Sequence, residues 1–178
     1  SAIVGPRFLA SAFSAGPALI ILALQVVRRV TASGSAADWS KAVDVGASPG
    51  RPATKEDLEE LARVLPELAG VPSADRARAL AGAVILDVAR GDLLLRQGTT
   101  SPDAFFVLRG RVVVKREESG RTRITRTAAP GDQFGEVSAL QGTKRMATAI
   151  AEEPSRILRL PADALRVLME THAMNQIV

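Results

Sequence analysis

The fold of this chain is decided by residues 131–148, which read GDQFGEVSALQGTKRMAT. A glycine-rich turn leads to the end of a strand at Phe134, and the following residues, 135–140, predict a helix of one or two turns. A second turn then leads to Arg145, which stands just before a predicted strand, Ala147–Ala151. The stretch therefore predicts a strand, a short helix and a strand, with an arginine beside the helix.

Two charged residues in this stretch, Glu136 and Arg145, predict a site for a phosphorylated sugar. The free N–H groups and the dipole of a short helix favour a phosphate, and a guanidinium can bind two phosphate oxygens at once. Glu136 would repel that anion unless it faces another group. An ionised carboxylate only accepts hydrogen bonds, so a sugar hydroxyl is its natural partner. A phosphate and a sugar hydroxyl in one small pocket indicate a nucleotide.

The sequence around this stretch predicts a mainly β domain with flanking helices. A helix starts after Thr54, and Ser73 caps a second short helix at roughly 74–82, ahead of short apolar runs separated by turn residues. Many short strands separated by turns are typical of an antiparallel sandwich or barrel. The predicted strands include Val84–Leu86, Leu93–Leu95, Phe105–Leu108, Val112–Val114 and residues 124–127, and a last helix follows Pro161.

From about Leu65 onward the chain resembles the cyclic nucleotide-binding domain of protein kinase A regulatory subunits, cyclic-nucleotide-gated channels and bacterial catabolite-activator-type regulators. The core of the resemblance is the phosphate-binding cassette, here Phe134-Gly135-Glu136 followed by Arg145 and Ala147-Thr148. Further matching positions are Gly91-Asp92-Leu93-Leu94, Gln97-Gly98, Asp103, Phe105-Phe106, Leu108, Gly110, Val112 and Val114.

The resemblance implies a β-roll, an antiparallel jelly roll, flanked by helices. In the family, the residue matching Glu136 accepts a hydrogen bond from the ribose 2′-hydroxyl, and the residue matching Arg145 pairs with the cyclic phosphate. The implied ligand is cAMP, with cGMP as the alternative, and no metal is implied. The predicted ligand-binding residues are Phe134, Gly135, Glu136, Val137, Arg145, Met146 and Ala147.

Three features depart from the family pattern. Lys144 stands where the family often has proline, and Met146 stands where a small residue or a threonine is frequent, the threonine favouring guanine. Met146 therefore leaves the base open. The family's last helix covers the base as a lid, whereas only Ala173–Val178 extend beyond the last predicted helix here, so we expect a short lid or none.

The N-terminal segment Phe8–Val27 predicts a transmembrane helix. It contains 20 residues without a charge, between Arg7 and the pair Arg28-Arg29, and a bilayer-crossing helix needs about 20 such residues. The basic flank places the C-terminal side in the cytoplasm. A buried helix of a soluble protein and a secretory signal are the alternatives, although Arg28-Arg29 is the wrong flank for cleavage. The first residue is serine, which suggests the tail of a longer membrane protein.

The sequence accordingly divides into a predicted transmembrane helix with its flank at 1–30, a flexible linker at 31–55 and the nucleotide-binding-like domain at 56–178. The net charge of +4 resides in residues 1–55, which argues against nucleic acid as the partner of the neutral domain. The absence of cysteine and the single histidine exclude a disulfide framework, a thiolate zinc site and a cysteine nucleophile.

The leading hypothesis is a non-enzymatic, cytoplasmic sensor domain that is attached to a bacterial membrane transporter or channel and binds a cyclic nucleotide. Its membrane part could also assemble the chain into a homo-oligomer. Two alternatives remain open at this point. The domain could serve as a ligand-free structural or docking module of the same fold. It could also be the regulatory part of a membrane-anchored enzyme whose catalytic domain lies outside this sequence.

Overall fold

The computed structural model describes residues 44–68 and 70–175 of the chain. This part contains nine strands, four α-helices and one 3₁₀ turn, Pro66–Leu68. The strands are β1 (Arg51–Pro52), β2 (Val84–Val88), β3 (Leu93–Leu95), β4 (Asp103–Arg109), β5 (Val112–Glu118), β6 (Arg121–Ala128), β7 (Gln133–Phe134), β8 (Thr148–Ala151) and β9 (Ser155–Pro161). The helices are α1 (Lys55–Val64), α2 (Ser73–Ala79), α3 (Glu136–Gln141) and α4 (Ala162–Asn175).

The strands form two sheets in which neighbouring strands are antiparallel. The five-stranded sheet has the order β1-β2-β9-β4-β7, and the four-stranded sheet has the order β3-β8-β5-β6. In the five-stranded sheet, Phe105 of β4 lies between Arg159 of β9 and Phe134 of β7. The prediction of a mainly β domain with flanking helices is confirmed, and the two sheets are consistent with a β-roll.

The five-stranded sheet is buried on both faces. Phe105 and Val107 of β4 belong to the core between the two sheets, whereas Phe106 and Leu108 belong to a second core with Leu61 of α1 and other helix residues. Consecutive side chains of a strand point to opposite faces, so a strand covered on both sides needs apolar residues at every position. This explains why β4 reads as a continuous apolar run.

Helix α1 begins at a capping box formed by Thr54 and Asp57. The Thr54 hydroxyl accepts the Asp57 N–H at 3.4 Å, and the Asp57 carboxylate accepts the Thr54 N–H at 2.8 Å. Arg51 of β1 donates to both oxygens of that carboxylate at 2.6 and 2.8 Å, which ties the helix to the sheet. The Arg51 guanidinium holds the pKa of Asp57 well below its usual range, and the hydrogen bonds from Thr54 act in the same direction.

We expect Asp57→Asn to lower the free energy of unfolding by about 1–3 kcal/mol at neutral pH, because it removes a charged hydrogen-bond acceptor. The folded-state pKa of Asp57 lies below its unfolded value. The stabilisation is therefore present above about pH 4 and is lost as the pH falls below that value. Urea unfolding at neutral pH and at about pH 3 should show the difference between the variant and the unmodified chain shrinking in acid.

The control for this prediction is Glu59→Gln, which removes an exposed carboxylate from the same helix. We expect it to change the free energy of unfolding by less than about 0.5 kcal/mol. If Asp57→Asn costs no more than this control, or if its cost grows in acid, the assignment of Asp57 as the anchor of α1 is wrong.

Helix α2 begins one residue earlier than the sequence predicted. Ser73 is its first helical residue rather than its cap, and Pro72 occupies the cap position without a side-chain hydrogen bond. Proline suits the start of a helix because its fixed φ is close to the helical value and its missing N–H would have no helical partner there. The helix ends at Ala79, before the predicted end near residue 82.

The C-terminal end of the predicted flexible linker, residues 44–55, lies against the domain. Gly46 donates to Leu93 O at 3.2 Å, and a Cβ on Gly46 would lie only 1.9 Å from Leu94 O, so glycine alone permits this approach. Arg159 of β9 donates to the carbonyls of Gly46 and Ser48 at 2.7 and 2.6 Å. These contacts differ from the expected tether, whereas residues 31–43 lie outside the described residues.

The predicted transmembrane segment, Phe8–Val27, also lies outside the described residues. Within the part of the chain that the structure describes, no helix is long and apolar enough to cross a membrane. The membrane attachment therefore stays a prediction from the sequence.

Candidate ligand-binding site

The predicted cassette begins where β7 ends. Phe134 is buried, and its ring stacks on that of Phe105 with the centroids 5.3 Å apart and the planes 9° from parallel. Gly135 follows as the N-cap of α3 with a φ of 77°, and Gly142 is the C-cap of the helix with a φ of 65°. Both glycines adopt the left-handed conformation that other residues rarely adopt. The buried Phe134 thus fixes one end of the short helix, and the glycines allow the chain to turn at both ends.

Gly135 also leaves room for the side chain of Arg145. A Cβ at Gly135 would lie 2.9 Å from the Arg145 Nη1 atom and 2.9 Å from the Leu95 Cδ1 atom. Any larger residue would push the guanidinium away from the start of α3. Two features therefore require glycine at position 135, the positive φ of its backbone and the close packing of Arg145 against it.

Arg145 is 2% exposed, and its guanidinium lies beneath the cassette. Its Nη1 donates to the carbonyl of Gly135 and, at 2.9 Å, to the Ser138 hydroxyl, and its Nη2 donates to the carbonyl of Asp103. Its Nε is buried and has no hydrogen-bond partner. The guanidinium is therefore held by uncharged acceptors, and its Nε donor is unused.

The backbone of Arg145 is held by the loop between β3 and β4. Arg145 donates its N–H to Thr99 O at 2.7 Å and accepts the Gly98 N–H at 2.8 Å. In the same loop, Gln97 donates its N–H to the Thr148 hydroxyl at 3.0 Å. The loop thus fixes the position of Arg145 from outside the cassette.

Burial lowers the pKa of Arg145, and the nearby Asp103 and Glu136 carboxylates act in the opposite direction. No carboxylate of the described residues forms an ion pair with Arg145 within 4.0 Å. An arginine stays protonated in proteins, so its positive charge is buried here without a directly paired anion. Burying a charge without a counterion is costly, and an anion beside the unused Nε would reduce that cost.

The remaining predicted site residues differ in how far they are buried. Glu136 is the first residue of α3 and is half-buried, as are Val137 and Ala147. Met146 is 55% exposed, although it directly follows the buried Arg145. The structure thus brings Gly135 against Arg145 and leaves Met146 at the surface, while the ligand-binding roles of all seven residues stay predictions.

Two contacts of the Arg145 guanidinium, with Ser138 and Asp103, could not be predicted from the sequence. Ser138 lies in the predicted short helix, but nothing in the sequence distinguishes its hydroxyl as a partner for the arginine. Asp103 is one of the positions that match the family pattern, yet the group that contacts Arg145 is its backbone carbonyl rather than its side chain. Such contacts depend on how β4 packs against the cassette, and the spacing of residues in the sequence does not predict that packing.

The fold is similar to that of several proteins of known structure. The sensor domain of the transcriptional regulator DNR from Pseudomonas aeruginosa is 19% identical, with a TM-score of 0.58, and the match covers 69% of this chain and 85% of that one. The catabolite activator protein of Thermus thermophilus is 27% identical, with a TM-score of 0.54 and coverages of 63% and 55%.

The regulatory domain of Toxoplasma gondii PKA, whose structure contains cAMP, is 19% identical, with a TM-score of 0.60 and coverages of 68% and 48%. This chain spans about half the length of the Thermus and Toxoplasma chains. At 19% identity, the likeness to the Pseudomonas and Toxoplasma proteins concerns the fold alone.

No curated protein sequence matches this chain significantly. Residues 85–172, which extend from β2 into α4, match the family model of the cyclic nucleotide-binding domain. The matched segment contains the whole cassette, including Glu136 and Arg145. On this match and the shared fold, residues 85–172 are a cyclic nucleotide-binding domain.

Proposed function

We propose that this domain is a sensor that binds a cyclic nucleotide at the start of α3, with Arg145 binding the phosphate and Glu136 the ribose. The main support for the proposal is that Arg145 is buried without a charged partner among the described residues. Its guanidinium is 2% exposed, contacts no carboxylate of the described residues and keeps an unused Nε donor. A singly charged phosphate diester is an anion that would satisfy this donor.

The residues around the guanidinium fit such a ligand. Gly135 has no side chain that would displace the guanidinium of Arg145 from the start of α3, and the first N–H groups of α3 have no acceptor within the helix. These N–H groups add hydrogen-bond donors and a positive partial charge to the same side as the guanidinium. Glu136 forms no ion pair among the described residues, so its carboxylate remains an acceptor for sugar hydroxyls.

The base would lie toward Met146, the exposed apolar residue at the edge of the site. A thioether packs against an aromatic ring without offering strong hydrogen bonds. We propose cAMP as the ligand and cGMP as the alternative. No metal takes part in the proposed site.

Binding would be transmitted through α3 to α4. Leu140 of α3 packs against the core that contains Leu165 and Leu168 of α4, and Arg166 of α4 donates to Leu140 O at 2.8 Å. If a ligand binds the domain more tightly with α3 in one placement than in another, it shifts the equilibrium toward that placement. Because α3 contacts α4, the equilibrium between the placements of α4 shifts with it. We propose that this displacement of α4 is the output of the domain.

We further propose that the domain acts on a membrane protein from the cytoplasmic side and has no catalytic activity of its own. The support is the charge-free segment Phe8–Val27 with Arg28-Arg29 after it. The partner would be the membrane part of the same polypeptide, a transporter or channel, and that part could form a homo-oligomer. No nucleic acid partner is proposed.

Hydrogen–deuterium exchange of the full chain with and without cAMP tests the location of the site. We expect slower exchange at residues 134–146 and in the loop 96–99, which holds the Arg145 backbone. The exposed turn between β5 and β6, residues 118–121 of the other sheet, serves as the internal control and should not change. Protection confined to other segments, or no protection at saturating cAMP, would overturn the proposed site.

A second candidate function is a ligand-free docking domain of the same fold. It is favoured by the contacts that Arg145 already makes with Gly135, Ser138 and Asp103, which satisfy most of its donors without a ligand. The same exchange experiment separates the two candidates, because a docking domain would show no change with either cAMP or cGMP.

A further inference from the structure

A charged cleft of about 400 Å³ lies between α1 and the five-stranded sheet, and the proposed function does not use it. Helix α1 supplies one wall of the cleft, and β1, β4 and β9 each supply an arginine to the other. The side chains that matter for its chemistry are Arg51, Asp57, Glu60, Arg63, Arg109 and Arg156.

Both buried carboxylates of the cleft are already engaged. Asp57 accepts two hydrogen bonds from Arg51, at 2.6 and 2.8 Å. Glu60 accepts from the Arg109 Nε atom through one oxygen, and its other oxygen lies 3.9 Å from the Arg156 Nη1 atom. These carboxylates therefore have little capacity left to bind a cation.

The arginines of the cleft have donors to spare. The Arg63 side chain is exposed and forms no hydrogen bond or ion pair with any described residue. Arg109 binds Glu60 through Nε, and no described residue accepts from its two terminal nitrogens. Arg63 follows Glu60 by three positions on α1, which places both on the same face of the helix. The unused donors of Arg63 and Arg109 thus lie near Glu60, whose carboxylate is already paired with Arg109.

The charges that line the cleft leave an excess of positive charge. Four arginines line it against three carboxylates, Glu56, Asp57 and Glu60. Guanidinium groups match the geometry of phosphate oxygens and bind them through paired hydrogen bonds. The volume of about 400 Å³ falls within the range of small-molecule sites, so the cleft can hold a phosphate together with part of the molecule that carries it.

We propose that this cleft is a second anion site, separate from the cassette, that binds a phosphate-bearing small molecule between α1 and the sheet. Arg63 and the terminal nitrogens of Arg109 bind the phosphate, and Glu60 sets the position of Arg109. Because α1 supplies Arg63 and β4 supplies Arg109, the bound anion links the helix to the sheet.

The test uses pyrophosphate as the probe and the isotope-labelled full chain at low ionic strength. We expect the amide NMR signals of residues 57–63 to shift with a single dissociation constant. Arg63→Gln should raise that constant about tenfold, the effect of losing one charged hydrogen bond, without affecting the fold, because Arg63 has no partner among the described residues to lose.

Glu60→Gln gives a prediction of the opposite sign. The amide oxygen can still accept from Arg109, while the loss of one negative charge should tighten pyrophosphate binding several-fold. Arg123→Gln is the matched control, since the Arg123 side chain is likewise exposed and forms no hydrogen bond or ion pair with a described residue, but lies on β6 of the other sheet. It should leave the constant unchanged.

Signals of residues 57–63 that do not respond to pyrophosphate would overturn the proposal, as would a response that Arg63→Gln leaves unchanged. Weaker binding by Glu60→Gln would also count against it. The amide signals of residues 135–138 report separately on the cassette, so failure of the second site and failure of the proposed nucleotide site can be told apart.

Discussion

Arg145→Ala is expected to weaken cAMP binding by about 2–5 kcal/mol, the cost of removing one partner of a desolvated charged contact. This corresponds to a loss of affinity of about 30-fold or more. The physical reason is the position of the guanidinium, which is 2% exposed beneath Gly135 with an unused Nε donor. Isothermal titration calorimetry of the variant and the unmodified chain measures the ratio of dissociation constants.

The control for this experiment is Arg90→Ala, which removes an exposed arginine from the turn between β2 and β3 and should leave the affinity unchanged. Arg145 also holds the carbonyls of Gly135 and Asp103, so thermal unfolding must show that Arg145→Ala is folded. Should it not fold, Glu136→Gln provides the second variant, because Glu136 is half-buried and forms no ion pair among the described residues. A folded Arg145→Ala chain with unchanged affinity, or a Glu136→Gln chain with unchanged affinity, contradicts the assigned roles.

Phe105→Ala is expected to have the largest effect on stability, lowering the free energy of unfolding by about 3–5 kcal/mol. Phe105 is 1% exposed, lies in the core between the two sheets and stacks on Phe134, the residue before the cassette glycine. Its removal leaves a cavity that the two sheets cannot close without moving β7. Urea unfolding measures the loss.

Met146→Ala is the matched truncation at the surface, since Met146 is 55% exposed. It should change the free energy of unfolding by less than about 0.5 kcal/mol. If Phe105→Ala costs less than about 1 kcal/mol, the stacked pair is not part of the core that fixes the cassette.

The strands before the cassette were predictable because turns and apolar runs alternate there. Strand β9 was not predicted, although Ile157, Leu158 and Leu160 are buried in it. Its arginines interrupt the apolar pattern, and the guanidinium of Arg159 donates to the carbonyls of Gly46 and Ser48. A strand buried on both faces thus contains a charged residue, Arg159, whose partners lie more than 100 positions away in the sequence.

The residue types of the candidate site were predictable from their chemistry, but their environment was not. A phosphate site calls for an arginine beside a helix start, and the glycine before Glu136 marks that start. The burial of Arg145 depends on the carbonyl of Asp103, which lies 42 positions earlier, and on the Ser138 hydroxyl. The close approach of Gly46 to Leu94 likewise depends on a contact between distant segments. The composition of residues 44–55 therefore did not predict that they pack against the domain.

The most direct test of the central claim is a calorimetric titration of the unmodified full chain with cAMP. The account predicts saturable binding at one site per chain, with cGMP competing for the same site and Arg145→Ala removing the signal. Absence of binding with both cAMP and cGMP at high micromolar concentration would contradict it and would favour a ligand-free docking domain.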